Sequence, residues 1–115
     1  MSELTGKQRV QKLFKREPID TMPCFSGQGA VVVQAIEKMG TQFAKIHTNA
    51  RLLAESAITS ARLFNMDGVV IPYDMAVVAE AMGRGISLYD GADGIIYPTV
   101  PNKWKTLDEI DIPKD

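Results

Sequence analysis

The run Val69-Val70-Ile71 constrains this chain more than any other feature. It is β-branched throughout and carries no polar residue. The turn Asn65-Met66-Asp67-Gly68 precedes it and Pro72-Tyr73-Asp74 follows. A strand without polar alternation is one buried on both faces, the environment of a parallel sheet covered by helices. Helical patterns lie on either side of it. Helix and strand therefore alternate along the chain, which implies a parallel α/β architecture.

The first element reads as a helix over about residues 5–16. Thr5 caps it, and Gln8 three residues on completes a capping-box pattern. Val10, Leu13 and Phe14 form its apolar stripe, and Pro18 stops it. Thr21 to Ser26 is predicted as a strand that turns at Gly27-Gln28-Gly29. Ala30 to Met39 is predicted as a helix ending at Gly40. An amphipathic segment, Thr41 to Ile46, leads to Thr48, the predicted N-cap of a long helix through about Phe64. Leu52, Leu53, Ser56, Ala57, Ser60, Leu63 and Phe64 share one stripe of that helix. Ala54, Ala57, Ser60 and Ala61 are small enough for close packing against a sheet. Beyond the strand, Met75 to Met82 reads as a helix stopped by Gly83. Ile86–Tyr89 and Gly94–Tyr97 read as a hairpin across Asp90-Gly91-Ala92-Asp93.

Two candidate parallel strands can neither close a barrel nor build a well-covered sheet. The expectation is the opening portion of a larger architecture, with a leading helix in 1–20 and the first strands, helices and a hairpin in 21–115. Leu107-Asp108-Glu109-Ile110 reads as a continuing connection.

Charge and composition exclude several functions. The 115 residues include 13 basic and 14 acidic side chains, a net charge of -1. Binding to nucleic acid or a membrane surface needs an excess of positive charge, so Lys7, Arg9, Lys12, Lys15 and Arg16 are read as the solvated face of the first helix. No segment approaches the ~20 apolar residues of a membrane span. The start, Met1 to Lys7, lacks the apolar region of a signal peptide. A single cysteine allows no internal disulfide. The expected location is cytoplasmic. One histidine and one cysteine cannot furnish three His or Cys ligands to zinc, and no Gly-x-Ser-x-Gly nucleophile motif is present.

Asp74 is the candidate site carboxylate. It stands just beyond the C-terminal end of the apolar run, the edge where α/β sheets and barrels carry ligands and catalysis. There it could accept N–H bonds from a ligand, hold a cation, or act as acid or base. It could equally cap the helix at Met75, and one residue can do both. Tyr73, next to it, is open to packing or to ligand contact. Gly27-x-Gly29-x-x-Val32 lies between strand and helix, as a phosphate loop would. It lacks a third glycine and follows Pro23, so it reads as a flexible turn near a site, presenting Ser26, Gly27 and Gln28. His47 reads as a structural residue bonding a neighbouring loop, and Cys24 as a buried, inert thiol. The Asp90–Asp93 loop lacks the length and distal Glu of a calcium-binding EF-hand loop.

Several stretches together resemble the uroporphyrinogen decarboxylase superfamily. Thr5-Gly6-Lys7-Gln8-Arg9-Val10 through Arg16-Glu17-Pro18-Ile19-Asp20-Thr21-Met22-Pro23 is similar to its opening, a basic helix followed by an xEPxDxxP approach to the first strand. Glu37-Lys38-Met39-Gly40, His47-Thr48-Asn49, Asp67 through Met75, and Glu80-Ala81-Met82-Gly83 resemble the methylcobamide:coenzyme M methyltransferase branch. The tail, Leu107-Asp108 to Ile112-Pro113, is also similar to the family.

The resemblance implies a (β/α)8 TIM barrel of ~250 residues or more, of which this chain is the N-terminal part, incomplete by itself. It implies transfer of a methyl group from a methylated corrinoid protein to a thiol or pterin acceptor. Zinc activates the thiol in that branch, because the thiolate is the nucleophile. Zinc and the corrinoid protein's cobamide are thus implied for a full-length parent and no cofactor for this chain. The family's zinc ligands, a His-x-Cys pair and a later Cys, are absent here, and Cys24 and His47 do not match them. The isolated chain is expected to be inactive and to self-associate through its open strand edge. In the decarboxylase branch an aspartate after the second strand holds pyrrole N–H groups, and Asp74 matches that position. Ser26-Gly27-Gln28-Gly29 replaces that branch's arginine-rich loop, so decarboxylation is the alternative, beside a non-catalytic assembly module. The implied site is Asp74 as catalytic residue, with Asp74, Tyr73, Ser26, Gly27 and Gln28 binding substrate and no metal ligand.

Overall fold

A computed structural model of the chain describes residues 3–101, 104–110 and 112. Met1, Ser2, Asp111 and Pro113, which figure in the reading of the two termini, lie outside the described residues. Helix α1 spans Gly6–Phe14. Its capping box is formed: Gln8 N–H donates to Thr5 Oγ1 at 3.3 Å, and Thr5 N–H donates to Gln8 Oε1 at 2.9 Å. The helix ends two residues before the expected boundary, because Arg16 adopts a left-handed φ of 58° and turns the chain toward Pro18.

Helix α2 spans Val33–Met39, three residues later than its sequence start. Val32 stays extended because its N–H donates to Ser60 Oγ at 3.1 Å, a tertiary bond that holds it out of the helix. Gly40 closes α2 with φ 60°, as the glycine stop required. Helix α3 spans Phe43–Ile46, and α4 spans Ala50–Leu63. The N-cap of α4 is Asn49, not Thr48. Asn49 Oδ1 accepts from Leu52 N–H at 3.0 Å, while the Thr48 hydroxyl donates backwards to the Lys45 carbonyl.

The core lies where α4 meets α2 and α3. Ile36, Phe43 and Ile46 are buried there, with Val31, Leu52, Leu53 and Ile95 packed against them. Ala57, Ser56 and Ser60 form the close-packing stripe of α4, and its partners are helices rather than a sheet. Both serines satisfy themselves by donating to the carbonyl four residues back, at 2.7 and 2.8 Å. Leu63 and Phe64, expected on the same stripe, are exposed.

The expected strands are extended segments without a β-ladder among the described residues. Segments 24–29 and 67–72 lie side by side. Asp67 N–H donates to the Cys24 carbonyl at 2.8 Å, Gly68 meets Phe25, and Gly29 meets Pro72. These pairs advance together 43 residues apart, so the segments are parallel, as the alternation implied. Pro23 and Pro72 have no N–H to give, and Cys24 N–H goes to the Asp67 carboxylate instead of a neighbouring backbone. Val69, Val70 and Ile71 are 45, 37 and 44% exposed, not buried on both faces, because no described element covers their outer side. Cys24 is likewise exposed.

Helix α5 spans Val77–Ala81, two residues later than Met75, since Asp74 first makes a turn with the N–H groups of Ala76 and Val77. The predicted hairpin is reduced to one antiparallel bridge, Ser87 with Thr99. Tyr89, Gly91 and Gly94 all take positive φ and widen the loop, moving the pairing past Tyr97. Leu107–Glu109 form a single 3-10 turn. The molecule measures 62 × 34 × 22 Å, with a radius of gyration of 18.3 Å. A compact chain of this length would have about 13 Å.

Arg9 ties the opening helix to both extended segments. Its guanidinium meets Asp20 at 2.8 Å and Asp67 at 2.6 Å, and Asp67 in turn accepts from Cys24 N–H. Far from being only part of a solvated basic face, Arg9 is buried.

Candidate functional site

The C-terminal ends of the two parallel segments open onto a cavity of about 300 Å3. Gln28 and Gly29 border it from the first segment, and Pro72, Tyr73, Asp74 and Met75 from the second. Phe43, Ile46 and His47, with Leu53 of α4, form its floor. Tyr97 closes one side and meets the Phe43 ring edge-on at 5.2 Å. That volume sits at the small end of ligand pockets, and apolar walls with a few convergent polar groups are their usual lining.

The Asp74 carboxylate makes two contacts, and neither is a side-chain cap: the N-cap of α5 is Ala76. Its Oδ1 accepts from Ala76 N–H at 2.8 Å and so starts the turn into α5. Its Oδ2 lies 3.8 Å from His47 Nδ1. The two side chains are 18% and 6% exposed. Burial lowers the His47 pKa below its usual 6.5, and the Asp74 charge opposes that shift. His47 is therefore a neutral imidazole at neutral pH. Its ring stands edge-on to Phe43 at 4.9 Å.

Of the sequence candidates, the structure brings Gln28, Tyr73 and Asp74 to one cavity. Ser26 and Gly27 do not border it. The Ser26 hydroxyl donates to the Gly29 carbonyl at 2.8 Å and shapes the turn from behind. Gly27 has no neighbour where a Cβ would stand. His47 is the site residue that the sequence does not single out: it faces a neighbouring loop, as read, but that loop brings the Asp74 carboxylate of the cavity to 3.8 Å. The available signal was its position just before a helix cap, which says nothing about a contact with a distant carboxylate.

Among the described residues no group of three His, Cys, Asp or Glu side chains converges. No described helix is long and apolar enough to cross a membrane.

The family described as uroporphyrinogen decarboxylase (URO-D) matches residues 5–115. The chain is 34% identical over 88 residues to the methylcobamide:CoM methyltransferase MtaA of Methanosarcina barkeri, a match covering 76% of this chain and 26% of that protein. It is 30% identical over 92 residues to the methylcobamide:CoM methyltransferase MtbA of Methanosarcina mazei, covering 78% of this chain and 26% of the relative. A solved methyltransferase from Methanosarcina mazei superimposes with a TM-score of 0.67 at 31% identity, over 85% of this chain and 28% of that one. The chain thus spans about a quarter of the length of the relatives it matches.

Proposed function

The chain belongs to the uroporphyrinogen decarboxylase family, and on that premise we propose that it forms the N-terminal part of a (β/α)8-barrel methyltransferase. The reaction is transfer of a methyl group from a methylated corrinoid protein to a small thiol acceptor. The likeness to two methylcobamide:CoM methyltransferases carries this reading, and the CoM that those relatives are named for favours a thiol acceptor over a pterin. The cavity supports it. It stands at the C-terminal ends of two parallel segments, where barrels of this kind hold their ligands, and its volume suits a small acceptor. Among the described residues no Lys or Arg borders it, which disfavours a multiply carboxylated tetrapyrrole.

In this reading Asp74 and Gln28 orient the acceptor, and Phe43, Tyr73 and Tyr97 keep water from it. The residues described here do not fit a zinc centre: the cavity offers one histidine and one carboxylate, and Cys24 does not border it. The role of this chain is then to build one wall of the site. Cytoplasmic location follows from the same reading.

The test is an assay of the protein encoded by the whole reading frame containing this sequence. It is given methylcobalamin and 2-mercaptoethanesulfonate, and the methylcobalamin absorbance is followed. Thiol-dependent demethylation is expected. Its absence, with CO2 released from a carboxylated porphyrinogen instead, would overturn the reading in favour of decarboxylation. The 115-residue chain by itself is expected to show neither activity.

A further inference from the structure

His47 is a buried group in the cavity that the proposed reaction leaves without a task. Its side chain is 6% exposed, it ends α3, and the Phe43 ring fixes its plane. Its Nδ1 faces Asp74 Oδ2 at 3.8 Å, and its Nε2 has no hydrogen-bond partner among the described residues. Burial keeps the ring neutral, with one N–H and one lone pair.

The two tautomers are not equivalent here. A proton on Nε2 would bury a donor without an acceptor and turn the Nδ1 lone pair toward a carboxylate oxygen. A proton on Nδ1 directs the N–H at that carboxylate and leaves only a lone pair unmatched. A buried donor left unpaired carries its full desolvation penalty, and orphaned buried donors are rarer than under-used acceptors. The geometry therefore selects Nδ1–H.

Asp74 then has the Ala76 N–H on Oδ1 at 2.8 Å and His47 beside Oδ2 at 3.8 Å. We propose that His47 is a positioning residue for Asp74, its Nδ1–H holding Oδ2 toward the cavity so that the carboxylate offers a bound acceptor molecule one fixed hydrogen-bond acceptor. The identity of that molecule rests on the methyltransferase reading; the pairing of the two side chains does not. At 3.8 Å the contact is longer than a hydrogen bond, and such contacts tighten when a ligand fills the site. Besides Asp74, the titratable groups bordering the cavity among the described residues are the phenols of Tyr73 and Tyr97.

His47 is the single histidine of the chain, so a long-range 1H–15N spectrum of the 115-residue protein labelled with 15N-histidine reports this ring alone. The expected result is the Nδ1–H tautomer at neutral pH and a lower titration midpoint in Asp74→Asn, which removes the charge that raises it. An Nε2–H tautomer, or a midpoint that Asp74→Asn leaves in place, would overturn the proposal. In the protein from the whole reading frame, His47→Asn restores an N–H near Nδ1, whereas His47→Phe keeps a ring without it. About a tenfold loss of kcat/KM in the Phe variant, largely recovered in the Asn variant, is expected. Equal losses in both would count against positioning. If the unaltered protein transfers no methyl group, the methyltransferase reading fails, and the spectrum still decides the role of His47.

Discussion

Gly29 approaches Pro72 so closely that a Cβ on Gly29 would stand 2.5 Å from the Pro72 nitrogen and 2.8 Å from the Val70 carbonyl oxygen. Gly29 also has φ +85°, a conformation that L side chains rarely adopt. Both constraints act where the parallel segments reach the cavity. Gly29→Ala is expected to destabilise the protein by about 3 kcal/mol, from left-handed strain plus overpacking against backbone. Gly27→Ala, with open space around it, is the control and is expected to change stability little. Urea unfolding of the two variants checks this.

The α4 cap gives a sharp pairwise test. Asn49 holds the Leu52 N–H, whereas Thr48 bonds only the preceding turn. Asn49→Ala is expected to cost about 1 kcal/mol, the usual loss of a working N-cap, and Thr48→Ala clearly less. Thermal unfolding of each ranks them, and the reverse order would restore Thr48 as the cap.

Acid should destabilise the fold in two separate steps. His47 has a pKa pushed below 6.5 by burial, so the unfolded chain binds a proton that the folded chain refuses. Its contribution is whole above pH 6.5 and is lost as pH falls through the lower folded value. Asp20 has its carboxyl held far below the usual 3.8, first by the Arg9 hydrogen bond and then by the N–H groups of Leu4 and Thr21. Its contribution is present above pH 3.8 and is lost only below that. Thermal midpoints measured from pH 8 down to about pH 3 should fall in both windows. His47→Asn is expected to flatten the upper step alone, and Asp20→Asn to reduce only the lower step, to which Glu109, held low by the Lys105 N–H and Arg84, also contributes.

The sequence was most informative where structure is local. The Thr5–Gln8 capping box and the Gly40 stop involve residues within one turn, and both form as read. The α4 cap falls one residue after the predicted Thr48, because adjacent Asn49 caps at least as well and its side chain is the one that reaches the Leu52 N–H. The start of α2 depends on Val32 meeting Ser60, a contact that no local pattern contains. The parallel direction of segments 24–29 and 67–72 was legible from the alternation of elements. Their missing ladder was not, because it depends on what lies on either side of Val69-Val70-Ile71. At the site, Asp74 stood out by its place after an apolar run. His47 did not, because its pairing with Asp74 exists only once α3 and the second segment are packed together.

Val69, Val70 and Ile71 leave an apolar edge that continues into exposed Tyr73, Met75, Val77 and Val78. Open apolar edges of this kind recruit another chain. The 115-residue chain is expected to self-associate, its light-scattering mass rising with concentration. Val70→Lys places a charge on that edge and should shift the protein toward monomer. A mass that stays at one chain across the concentration range would show that the edge is inert.

Asp74→Asn separates the two jobs of Asp74. Asn keeps a side-chain oxygen for the Ala76 N–H, and Asn and Asp both form this turn with the backbone two residues on. Stability should therefore change little. The same substitution removes the charge and basicity of the carboxylate that borders the cavity beside His47. In the protein from the whole reading frame, kcat/KM for methyl transfer should fall tenfold or more, on the order of 1.4 kcal/mol of lost transition-state stabilisation. Asp74→Ala is the companion variant. It removes the oxygen bonded to Ala76 as well, so it should lose stability where Asn does not, by about 1 kcal/mol for one hydrogen bond. Unchanged activity in the Asn variant, with lost stability in the Ala variant, would reduce Asp74 to the residue that starts the turn into α5.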